Sequence, residues 1–173
     1  MLVAHSEKRG WTGDGWVSAD GGMLTLDSAA LHSKWVRDIF DEQARNPPGP
    51  NHGCGPSQAP VECWDGADEH GWCLGGGDVA AQGQPPSCGA PHWAVAAMVI
   101  PHALWRHHGD LRILEENFAG MKLFMDWMTY TADNSTGLVS HARWADWCAP
   151  NTNKHGTAAE PHQVAAFAQL MGW

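Results

Sequence analysis

Glu7 and Asp14 stand seven positions apart, on either side of the run Gly10-Trp11-Thr12-Gly13. Glycines let a backbone turn where a side chain would clash. Trp11 adds a flat apolar face with a single N–H donor. Carboxyl groups beside an aromatic ring can grip and cleave a sugar. The ring stacks on the pyranose, sugar hydroxyls donate to an Asp, and a Glu handles the proton. The same residues also read as a capped turn, with Asp14 as the N-cap of a following helix. Both readings are open on these eight residues alone.

The longer context narrows them. Residues 7–43, EKRGWTGDGWVSADGGMLTLDSAALHSKWVRDIFDEQ, resemble the catalytic domain of bacterial-type α-L-rhamnosidases. Those are glycoside hydrolases built on an (α/α)6 six-hairpin barrel. In that family a Glu, a GWTGD-like turn and a helix with a KWxRDxxDxQ pattern follow one another. Lys34-Trp35-Val36-Arg37-Asp38 and Asp41-Glu42-Gln43 fill the pattern here. Ala90-Pro91-His92-Trp93, the run from His107 to Glu116 (HHGDLRILEE) and Ala145-Asp146-Trp147 match later familial pieces. The resemblance is in register along most of the chain, except about residues 47–89. It implies an all-α fold: an incomplete (α/α)6 barrel built from αα-hairpins, with a long Gly/Pro/Cys-rich loop.

The resemblance also implies roles. Glu7 is the proton donor. Asp14 binds sugar hydroxyls, Trp11 lines the pocket, and Trp93, Asp146 and Trp147 border it. The family inverts configuration, and its second carboxylate acts as base through a water. That base lies late in the barrel, and no residue here is its counterpart. Three departures stand out. Leu2-Val3-Ala4 occupy the positions of a familial Asp-Cys-Pro, so one sugar-binding carboxylate is replaced. Ala94-Val95 follows Trp93 where the family has Gly and a small polar or acidic residue. Ala145 replaces the Gly of a Gly-Asp-Trp motif.

Elements must position these residues. Residues 14–25 read as a short helix, weakened by Gly21-Gly22. Asp27 is placed to cap a stronger one, whose Ala29, Ala30, Val36, Ile39 and Phe40 share a face. Asn46-Pro47-Pro48-Gly49-Pro50 ends it, because proline cannot continue a helix. Residues 47–91 have no persistent period and read as a loop or insertion. Helical spacing returns with Trp93, Ala96, Ala97, Ile100, Ala103, Leu104 and His107, and Pro101 is placed to kink that helix. Gly109-Asp110 breaks the pattern. Leu114, Phe118, Met121, Met125 and Met128 form the next stripe, so the two helices make an αα-hairpin. A loop is expected over 138–153 and another helix over 157–172.

Composition bounds the rest. A full barrel needs twelve helices, and at ordinary helix and connection lengths that takes far more than 173 residues. The whole chain, 1–173, is therefore expected to be part of one catalytic domain. The missing neighbours are the rest of a parent enzyme, or other copies through self-association. Ten Lys and Arg against 19 Asp and Glu give a formal charge of −9, with no basic stripe for nucleic acid. No apolar stretch is long enough to span a membrane. Eleven tryptophans suit a sugar cleft, although most tryptophans in any protein are core. Cys54, Cys63, Cys73, Cys88 and Cys148 lack the close spacing of structural zinc sites, so no metal is expected. Unpaired thiols are favoured over one or two disulfides, and no pairing can be read. No cofactor is expected. The partner implied by the resemblance is a rhamnose-containing glycoside or oligosaccharide. Two alternatives remain: a six-hairpin glycosidase for another sugar, and a non-catalytic helical remnant that binds a carbohydrate or a protein.

Overall fold

The computed structural model describes residues 10–45, 48–49, 52–59 and 91–137. Five helices run in chain order: α1 (Thr12–Thr25), α2 (Ala29–Ala44), α3 (Pro91–Ala94), α4 (Ala96–His108) and α5 (Arg112–Thr131). Among the described residues there is no strand, and the all-α class holds. The helix expected over 157–172, the loop over 138–153 and most of 47–91 lie outside the described residues.

The fold is organised around α4, which packs on α1, α2 and α5. Its buried side chains are small or branched: Ala96, Ala97, Ile100, Ala103 and Leu104. Three alanines on that stripe let neighbouring helices approach closely. They meet Ala19 and Met23 of α1 and Trp35, Val36 and Ile39 of α2 in one apolar cluster. Pro101 sits inside α4, buried, and the helix continues through it. Gly109 then ends α4 in the left-handed region (φ 67°), where its amide donates to the Trp105 carbonyl at 2.8 Å. An L side chain is disfavoured at that φ, so glycine suits the stop. The chain reverses, and α4 and α5 form the αα-hairpin read from the sequence.

Two expectations need correction. The stripe expected on α5 is rotated from the true one. Its buried residues are Ile113, Asn117, Phe124 and Trp127, while Phe118 is exposed and the three methionines are only partly covered. A second cluster explains this: Phe124 and Trp127 stack with centroids 6.0 Å apart and pack on Cys54 and Ala94. Asn117 tolerates burial because its amide donates to the Ile113 carbonyl at 2.8 Å. The second correction concerns Cys54. It is fully buried and disulfide-bonded, not an unpaired loop thiol.

Residues 52–59 are not helical, yet Gly53, Cys54, Pro56, Ser57 and Ala59 are buried. The Gln43 side-chain amide explains part of this. It donates to the Gly53 carbonyl at 2.8 Å and the Gly120 carbonyl at 3.1 Å, joining α2, this segment and α5. Buried carbonyls need such donors, so a polar side chain in the core organises a segment with no helix of its own.

Candidate functional site

The turn that opens α1 is built on the 56–59 segment. The Ala59 amide donates to the Gly10 carbonyl at 2.9 Å, and Trp11 pairs antiparallel with Gln58. A Cβ on Gly10 would collide with the Ala59 carbonyl group, its carbon lying 2.9 Å away. Glycine is therefore required at that close approach. The Thr12 amide donates to the Ser57 carbonyl at 2.9 Å. Its hydroxyl lies 2.9 Å from the same oxygen and 3.0 Å from the Pro56 carbonyl, and its one proton serves these two acceptors. Thr12 is completely buried.

These contacts move the helix start. Asp14 was expected to cap or begin the helix. Instead α1 starts at Thr12, its N-cap position is Trp11, and no side chain caps it. Asp14 sits in the first turn with its side chain exposed. A carboxylate there complements the positive end of the helix dipole. The exposed side of α1 thus carries the acid, while the buried Thr12 does the anchoring.

Trp93 comes to the same place from far along the chain. Its indole lies against Gly13, so close that a Cβ there would be 2.6 Å from Nε1 and 2.7 Å from Cδ1. The ring is partly exposed, but Nε1 is buried and makes no hydrogen bond among the described residues. The neighbouring turn is fixed by Trp16, whose indole N–H donates to the His92 carbonyl at 2.9 Å. His92 and Trp93 meet edge to face, with centroids 4.4 Å apart. The Trp93 indole is therefore seated on Gly13, which lies between Trp11 and Asp14 in the sequence, at the N-terminal end of α1. Glu7, Asp146 and Trp147 lie outside the described residues, so the separation of the Glu7 and Asp14 carboxyls is not on view.

The sequence reading passed over the residues that hold this site. Thr12 lay inside the recognised motif, but was given no role. Trp16, Trp35 and residues 56–59 were not linked to it. Trp35 donates to the Ala59 carbonyl at 2.6 Å. A polar residue between two glycines was the one available signal for Thr12. The carbonyl contacts of residues 56–59 left none in the sequence. Among the described residues no group of three or more His, Cys, Asp or Glu side chains could hold a metal ion.

Known proteins resemble this chain in sequence and in fold. Residues 4–171 match the family model described as the bacterial α-L-rhamnosidase six-hairpin glycosidase domain. An α-L-rhamnosidase of Formosa agariphila is 28% identical over 167 residues, covering 94% of this chain and 15% of that protein. One of Streptomyces avermitilis is 28% identical over 145 residues, covering 83% and 11%. The solved structure of an α-L-rhamnosidase from Dictyoglumus thermophilum superposes with a TM-score of 0.65 at 23% identity, over 96% of this chain and 17% of that one. At that identity the likeness speaks for the fold. The chain spans less than a fifth of the length of each of these relatives.

Proposed function

The chain belongs to the bacterial α-L-rhamnosidase six-hairpin glycosidase domain family, and from that premise we propose that it is part of a glycoside hydrolase cleaving terminal α-L-rhamnosides with inversion. Glu7 protonates the glycosidic oxygen as the bond to the anomeric carbon breaks. A water attacks from the opposite face, and a carboxylate in a later part of the barrel takes its proton. Asp14 accepts hydrogen bonds from sugar hydroxyls. Trp11 and Trp93 offer apolar faces to the ring, and Asp146 and Trp147 border the same pocket.

The observation that carries this reading is the seating of the Trp93 indole on Gly13, between Trp11 and the exposed Asp14 at the start of α1. Tryptophan faces and an exposed carboxylate at one helix end suit a polyhydroxylated ring with an apolar face. The test is hydrolysis of an aryl α-L-rhamnoside by the longest natural protein that contains this chain, set beside its Glu7→Gln variant. Loss of several orders of magnitude supports the acid role, and undiminished turnover refutes it.

A second reading is favoured by one residue. By the sequence resemblance, Leu2 takes the place of a sugar-binding Asp. A non-catalytic carbohydrate-binding remnant would keep Trp11, Asp14 and Trp93 and need no acid. Saturable L-rhamnose binding without any turnover of the aryl glycoside would select it.

A further inference from the structure

We infer that Trp35, in the middle of α2, is a positioning residue for the turn that carries Trp11 and Asp14. The inference rests on the proposed sugar-binding role of that turn. Trp35 is only 5% exposed, and two of its contacts reach the turn from opposite ends. On one side its indole N–H donates to the Ala59 carbonyl at 2.6 Å. Ala59 in turn donates its amide to the Gly10 carbonyl at 2.9 Å, and the adjoining Ser57 carbonyl takes the Thr12 amide at 2.9 Å. Residues 56–59 therefore act as a splint between α2 and the turn. On the other side the benzo ring of Trp35 sits over Gly15, the residue after Asp14; a Cβ there would be 2.9 Å from Cζ2 and nearer still to Cζ3 and Cη2. One side chain thus fixes the backbone just before Trp11 and just after Asp14.

A buried tryptophan usually finds an acceptor for its N–H, so a hydrogen bond alone is unremarkable. What sets Trp35 apart is where its acceptor leads. The splint connects to the turn through main-chain bonds at Gly10 and Thr12, and through the buried Thr12 hydroxyl. Sugar binding by Trp11 and Asp14 depends on the placement of their own backbone, and misplacement of a binding group by about 1 Å can cost a hundredfold in rate. Trp35 touches no substrate in this scheme; it acts through Ala59 and Gly15.

Amide hydrogen exchange on the 173-residue chain tests this directly. In Trp35→Phe, which keeps an aromatic ring and removes the N–H, the amides of Thr12 and Ala59 are expected to exchange at least about tenfold faster, the scale of leaving one buried hydrogen-bonding group unsatisfied. The amides of Ile100 and Leu104 in the centre of α4 are expected to keep their wild-type rates. Thr12→Val, which removes the hydroxyl and retains the branched shape, is expected to produce the same local pattern and shows separately that the splint holds the turn; Trp35→Leu repeats the Trp35 arm if the Phe variant does not fold. Equal acceleration in the turn and in α4 would mean that Trp35 is ordinary core, and an unchanged turn would mean that the splint does not brace it; either result overturns the inference. Titration with L-rhamnose forms the second arm. Binding by the wild type is expected to weaken roughly tenfold or more in the variants. A wild type that binds no rhamnose defeats the sugar reading, while the exchange rates still decide whether Trp35 braces the turn.

Discussion

Gly15→Ala and Gly21→Ala make the same chemical change in the same helix, and the structure predicts opposite signs for them. Both glycines are interior to α1. Alanine there gains about 0.5–1 kcal/mol over glycine through lower unfolded-state entropy and better helix propensity. At Gly21 nothing lies within 4 Å of the new methyl, so that gain is realised in full. At Gly15 the methyl enters the Trp35 ring, with Cζ2 at 2.9 Å and two further ring carbons closer. Overpacking a filled core costs about 1–3 kcal/mol. The ring cannot swing away freely, because its N–H is held by the Ala59 carbonyl at 2.6 Å. Breaking that bond in the interior adds about 1–3 kcal/mol. Less the propensity gain, Gly15→Ala is expected to destabilise by roughly 1–5 kcal/mol. Urea titration at sub-micromolar protein, followed by far-ultraviolet circular dichroism, should separate the two midpoints by roughly 1–3 M at the slopes usual for small domains. A Gly15→Ala chain as stable as Gly21→Ala would refute the packing argument, and with it the seat of Trp35 on α1.

Three further outcomes are expected. Under the proposed mechanism the 173-residue chain alone should show no measurable hydrolysis of an aryl α-L-rhamnoside, since of the two carboxyl groups that inversion uses the proposal assigns only the acid, Glu7, to this chain; turnover that Glu7→Gln abolishes would contradict this. The chain should self-associate and melt broadly, because Val17, Leu24, Leu26, Trp105, Leu111, Phe118 and Tyr130 are all exposed; sedimentation as a single monomeric species with a sharp melt would count against it. Burial holds the His32 imidazole below its ordinary value near 6.5, outweighing the opposing hydrogen bond to the Ser28 carbonyl. The unfolded chain then binds the proton more readily, so this contribution is present above pH 6.5 and is lost as pH falls through the lower folded value. His32→Asn, titrated with urea between pH 7.5 and 5, should flatten that slope, and an unchanged slope would exclude His32 as its source.

The hairpin of α4 and α5 was legible because its signals are local: helical spacing on both sides and a glycine where the chain reverses. The motif around Trp11 was legible for the same reason. The α5 stripe was misread because Phe118 and Trp127 have similar apolar character, and only the contacts with Cys54 and Ala94 decide which is covered. The start of α1 was misplaced because Asp14 is a good capping residue in isolation. The hydrogen bonds that set the true start join Thr12 to residues more than forty positions away. Residues 52–59 looked like unstructured loop for a related reason. Their burial comes from donors on Thr12, Trp35 and Gln43, and no periodicity within the segment records them.

The groups that this segment offers to its donors are main-chain carbonyls: those of Gly53, Pro56, Ser57 and Ala59. The hydroxyl of Ser57 makes no hydrogen bond among the described residues. Recognition by backbone is blind to side-chain identity but strict about spacing. Across an evolutionary lineage, a position such as Gln58 is therefore free to drift, whereas losing a single residue between Gly53 and Ala59 would present each donor with the wrong carbonyl. The segment behaves like a ruler: apart from Cys54, held by its disulfide and its packing, and the tightly seated Gly53 and Gly55, its register is stored in its length.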